Sequence, residues 1–221
     1  MAYQKLPSGG PPDPPSSFSR GASGVVTSDI ATSGAGMAVH FDINLIVVAE
    51  ETFTPTESKQ VNDSVDIMKT IFATHGPVIG TVNRFKIDLT VAGANAMVRG
   101  VADAMALADR FAVRSNDALD VFVVKRIFDP KADGYSPTPG ACGKNKAKGR
   151  LRAPVVSLNG SAADSGNTFA HEVGHFLGLP HCEKDESLCG PANFMRAQSG
   201  TNTGVTPAQA VKMIAHCQVT L

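Results

Sequence analysis

From residue 38 onward the hydrophobic positions follow two rhythms in turn. AVHFDINLIVVA (38–49) alternates and then turns continuously apolar, which predicts a strand running into a core. Val61, Val65, Met68, Ile71 and Phe72 then recur at helical spacing. They predict a helix from a cap at Thr56 or Ser58 to about Thr74, stopped by His75-Gly76-Pro77. VIGTVNRFKIDLTV (78–91) reads as a second strand region, and the Ala-, Met- and Leu-rich stretch 95–113 as a second helix. LDVFVVKRIF (119–128) carries the strongest strand signal. After a long loop, APVVSL (153–158) predicts a short strand, and helical patterns return at about 167–178 and 206–217. The last of these opens on Thr206-Pro207, a cap followed by proline at the first helical position.

Strands interleaved with two helices, then two more helices, give an α/β (α+β) domain over residues 38–221. Residues 1–37 are rich in Pro, Gly, Ser and Ala and nearly empty of large apolar side chains. Such a segment cannot bury enough surface to offset its ordering entropy, so it is expected to be a flexible leader or linker.

Composition narrows the function. Twenty basic and twenty acidic residues cancel, so no global field recruits nucleic acid or an anionic membrane. The one dense charge cluster, Lys144, Lys146, Lys148, Arg150 and Arg152, has no interleaved aromatic residues and reads as a solvated loop. No apolar run reaches the roughly 18 residues a membrane span needs. The N-terminal MAYQKLPSGGPPDPP lacks the apolar core of a secretory signal. A secreted protein is expected, by a removed signal or a route that needs none, with a cytosolic one as the alternative. A monomer is expected.

His171-Glu172-Val173-Gly174-His175 places two imidazoles on one helical face, within reach of one ion. Glu172 sits about 100° further round the axis, so it misses the metal and points to where a water can be activated. Gly178 breaks the helix, and Leu179-Pro180 return His181 as a third ligand. Three imidazoles leave one tetrahedral position of a zinc ion open, which separates a catalytic site from a closed structural one. His40, His75 and His216 have no ligand spacing.

HEVGHFLGLPH matches every fixed position of HExxHxxGxxH, and the chain here resembles the metzincin family of zinc peptidases. Asn193-Phe194-Met195, with Met195 fourteen residues after His181, resembles the family's methionine-bearing turn beneath the metal. The resemblance implies a mixed twisted sheet packed on two helices, an active-site helix, the Met-turn and a C-terminal helix. It also implies Zn2+ held by His171, His175 and His181, with Glu172 as general base in endopeptidase chemistry on an extended peptide or protein. Strand 155–158 resembles the family's edge strand, which pairs with substrate. Cys182 follows the third histidine and leaves the subfamily open. Ala197 stands where astacin-like and serralysin-like members carry a ligating tyrosine, so the site is closer to matrixin-like and reprolysin-like ones. Two other functions use the same residues: a zinc-stabilised binding module without catalysis, and a zinc hydrolase acting on a non-peptide amide. Glu172 argues against the first, since a structural site has no need of it.

Four cysteines allow three connectivities. A Cys182–Cys189 link is favoured because 183–188 must be a surface loop, and because a free thiolate beside His181 would compete for the open metal position. Cys142 and Cys217 would then pair. Four reduced thiols in a cytosolic enzyme are the alternative.

Overall fold

The structure, a computed structural model, describes residues 19–20, 39–144, 150–184, 186–190, 192–197 and 202–220. The expected leader, 1–37, lies outside them apart from Ser19–Arg20. Five strands form a mostly parallel sheet: β2 (His40–Val48), β3 (Val78–Ile87), β4 (Leu119–Val124), β5 (Gly134–Tyr135) and β6 (Val155–Ser157). The two residues of β1 (Ser19–Arg20) add antiparallel to β3, giving the order β1-β3-β2-β4-β6-β5. β3, β2, β4 and β6 are parallel, and β5 closes the far edge antiparallel to β6.

The continuous apolar runs follow from burial on both faces of the sheet. Phe41, Ile43, Leu45 and Val47 of β2, with Leu119, Val121 and Val123 of β4, face a core shared with Met68, Ile71 and Phe72 of α1 (Pro55–His75) and Phe169 and Val173 of α4 (Ala162–Phe176). The alternate residues Ile46, Val48, Phe122 and Val124 face a second core around Leu107 and Phe111 of α3 (Val101–Phe111). Successive side chains on a strand point to opposite faces, so one run supplies both cores.

Several boundaries differ from the sequence reading. The cap of α1 is Thr54, one residue before a helix-initiating proline, in a reciprocal capping box with Glu57. β3 stops at Ile87, and 89–92 form one turn, α2 (Leu89–Ala92). β4 stops at Val124. α3 begins only at Val101, after a 3-10 turn. α4 starts five residues before the expected 167, because Ser161 and Asp164 form a capping box that extends it. α5 (Pro207–Ile214) opens on Thr206 as expected. No helix among the described residues is long and apolar enough to cross a membrane.

The edge strand is a correction. Strand 155–158 is interior, paired to β4 on one side and β5 on the other. The edge is Gly134–Tyr135, inside what the sequence marks as loop. Two residues are too few to display an alternation.

The basic run is a second correction. Lys144 donates to the Asp120 carboxylate at 2.8 Å and Arg152 pairs with Asp109, so these two ends are anchors and not solvated charges. Lys146 and Lys148 lie outside the described residues. Burial pushes the Asp120 carboxyl up, while Lys144 and the amide of Asn44 act against it. Lys144→Met leaves that carboxylate, 4% exposed, without its cation. Its stability in urea is expected to fall by about 3 kcal/mol; a change under about 0.5 kcal/mol would mean the pair is inert.

Cys142 is bonded to Cys217 and Cys182 to Cys189, with Cα atoms 5.6 and 4.9 Å apart. The first ties the loop before β6 to the C-terminal segment. The second closes the loop after His181.

Candidate metal centre

α4 carries His171 and His175 on one face, and it ends at Phe176. Gly178 adopts a φ of 97°, a left-handed conformation that β-carbon sterics disfavour, and this turn returns Leu179, Pro180 and His181 toward the helix. Ligand atoms of His171, His175 and His181 all lie within 4.8 Å of one another. The Nε2 atoms of His171 and His181 are 3.2 Å apart, against about 3.3 Å for two nitrogens on a tetrahedral zinc ion.

The other face of each ring decides which nitrogen is available. His171 Nδ1 lies 2.9 Å from the Phe194 carbonyl and His175 Nδ1 2.7 Å from the Leu179 carbonyl. A carbonyl only accepts, so both Nδ1 atoms carry the proton and both Nε2 lone pairs are left for a metal. Three neutral nitrogens converging in this way fit a borderline cation such as zinc.

The turn that carries Met195 packs against α4. Gly174 faces it so closely that an added Cβ would lie 2.6 Å from the Met195 sulfur and 2.9 Å from the Phe194 ring. Met195 is fully buried, and its carbonyl accepts the Cys182 amide at 2.9 Å. Residues 194 and 195 therefore orient the first histidine through one carbonyl and the segment after the third through the next. At the turn itself, Asn193 Oδ1 accepts the Met195 amide, and its side chain exchanges two 2.9 Å hydrogen bonds with Gln209 of α5. Ala197 donates its amide to Glu183.

Burial sets the protonation of the site. It lowers His171 and His181, and pulls His175 down to about 4. All three shifts favour the neutral imidazole, the form that can bind a metal. Burial alone pushes Glu172 up to about 8; a divalent cation beside it would draw that value down. The consequences for metal-free protein have opposite signs. Between the depressed histidine values and about 6.5 the unfolded chain binds more protons at these three residues, so their contribution is lost as pH falls. Glu172 gains a proton only in the folded state between about 4.5 and 8, so its contribution is lost as pH rises. Below pH 6.5 the two contributions oppose each other, and only the histidines' remains once Glu172 is neutral. Thermal melts in chelator are expected to show a Tm that falls more steeply from pH 6.5 to 4.5 in Glu172→Gln than in the wild type; a rising Tm in that variant would contradict these assignments.

One contact has no signature in the motif. An added Cβ at Gly134, the first residue of β5, would lie 2.5 Å from Cγ and 2.8 Å from Oε1 of Glu172. The edge-strand backbone therefore rests directly on that side chain. His216 stands outside the triad, with Nε2 3.2 Å from the Gly140 carbonyl. A crevice of about 490 Å³ opens off the carboxyl ends of β4 and β6, lined by Lys125, Phe128 and Ser157 among others, and none of the three histidines borders it.

No family model matches the chain, and no curated protein sequence does. Among solved structures it is similar to metalloproteinase-II from Bacteroides fragilis, with a TM-score of 0.57 at 16% identity over 83% of this chain. It spans about half of that protein, 54% of its length. It also aligns with archaemetzincin from Methanopyrus kandleri, with a TM-score of 0.49 and 16% identity, over 79% of this chain and 93% of the other. The first of these likenesses establishes a shared fold, the expected mixed α/β architecture.

Proposed function

We propose that this chain is a zinc-dependent endopeptidase, with the metal on His171, His175 and His181 and Glu172 as its general base. The observation that carries this reading is the convergence of three imidazoles, two of them with Nδ1 protons committed to carbonyls, beside a buried carboxyl outside the triad. The fold shared with a metalloproteinase supports it.

Zinc bound there would supply a Lewis acid that polarises the scissile carbonyl and brings the pKa of a water to about 7. The chain's own residues do the rest. The Phe194 and Leu179 carbonyls lock two rings in the ligating tautomer. Glu172 takes the proton of the attacking water and delivers it to the leaving amine. Its buried position, 8% exposed, limits exchange of that proton with solvent. β5 is paired on one side only among the described residues, so its outer edge can take an extended peptide as a further strand, next to Glu172. The two disulfides suit a secreted protein.

The test is cleavage of a denatured protein by purified enzyme with chelator, without it, and after zinc is returned. Cleavage that stops with chelator and returns with zinc is expected. Stoichiometric zinc in a protein that cuts no peptide bond would overturn the reading.

A further inference from the structure

The contact between Gly134 and Glu172 raises the question of what holds the edge strand there. β5 has two residues and, among the described residues, one paired neighbour, through Gly134↔Val156 and Tyr135↔Val155. A strand this short does not fix its own position. Its entry is pinned twice. The Asp133 carbonyl accepts from the Ser157 amide at 2.9 Å and the Ser157 hydroxyl at 3.2 Å, which ties it to β6. The Asp133 carboxylate accepts from Asn159 Nδ2 at 3.1 Å, and the same nitrogen reaches Thr168 Oγ1 at 3.2 Å.

Thr168 is on α4, one turn before Glu172, so the two share a helical face. One amide nitrogen with two N–H groups therefore spans from the root of the edge strand to the helix that carries the base. Asn159 is itself anchored. Its amide donates to Ser165 Oγ at 3.0 Å, the Ser165 hydroxyl returns to its carbonyl at 2.9 Å, and Gln60 of α1 also reaches that carbonyl at 3.2 Å. Its Oδ1 is buried with no partner among the described residues. Turning the amide over would set that oxygen against the Asp133 carboxylate. The bridge is thus held in one sense although one atom goes unsatisfied, an arrangement that stability alone does not favour.

We infer that Asn159 is a positioning residue whose amide, bridging Asp133 and Thr168, sets the spacing between a substrate strand on β5 and Glu172. The inference rests on the endopeptidase reading above. A group that fixes reacting geometry acts on turnover more than on ground-state binding, because small misplacements cost near-attack alignment.

Asn159→Ala and Thr168→Val each break the bridge, and the double swap Asp133→Asn with Asn159→Asp rebuilds it with donor and acceptor exchanged. Each single variant is expected to keep its zinc and to lose about 10- to 100-fold in kcat on an extended peptide, with KM changed less than about threefold. The swap should recover most of that loss. A readout without turnover is the affinity of a peptide hydroxamate relative to acetohydroxamate, which touches the metal alone. That ratio should fall about tenfold in the single variants and return in the swap. Unchanged kcat and unchanged ratio in zinc-loaded single variants would overturn the inference, as would a loss that the swap does not recover. A wild type that binds the peptide hydroxamate preferentially yet hydrolyses nothing would refute the hydrolase reading, while the ratio still decides the bridge.

Discussion

Glu172→Gln is expected to keep its zinc and its fold and to lose turnover by about 10³- to 10⁴-fold, the span that a positioned proton carrier contributes. Glutamine preserves the shape that fills the space beneath Gly134, so the substitution removes the proton relay and little else. The same variant has a second, independent reading. In metal-free protein burial raises Glu172 to about 8, and above that pH the folded state must hold a desolvated carboxylate. Metal-free Glu172→Gln should therefore melt higher than metal-free wild type at pH 8 and above, while near pH 4.5 the two converge. Zinc analysis, peptide turnover and melts in chelator check all three points. Full proteolysis by the zinc-loaded variant would remove Glu172 from the mechanism; a lower Tm at pH 8 would mean that the side chain is solvated.

His181→Ala should lose zinc and activity together. Two imidazoles remain on α4, but the third nitrogen, now 3.2 Å from His171 Nε2, is gone. We expect metal affinity to fall by more than about 100-fold, beyond what loss of an outer-shell partner costs. His216→Ala is the control. It removes a hydrogen bond to the Gly140 carbonyl and an edge contact with Phe176, yet no ligand, and should change neither zinc content nor turnover. Metal titration against a competing chelator separates the two variants. Equal zinc retention in wild type and His181→Ala would show that another group supplies the third bond.

The eleven residues His171–His181 made the candidate centre legible because its spacing is local: i, i+4 on a helix, then a glycine turn that returns one more residue. The same holds for the buried face of α1, where a period of 3.6 assigns side chains to a core without knowledge of neighbours. Thr206-Pro207 marked the start of α5 for a similar reason, since a cap and its proline act within one turn.

Legible in the residues alone, then, are the local features: the α/β elements, the spacing of the three histidines, and the glutamate beside the first of them. Which partners meet across the chain is settled only once it folds. The carbonyls of Phe194 and Leu179 fix the tautomers of His171 and His175, yet any residue has a carbonyl, so residue type carries no signal of it. Gly134 rests on Glu172, 38 residues later in the chain, and a two-residue strand leaves no periodic trace by which to place it at the sheet edge. Lys144 looked like part of a solvated run because only the folded chain brings Asp120 beneath it. Short-range periodicity is written in side-chain type; long-range pairing through backbone groups and single contacts is settled only by the packing that brings them together.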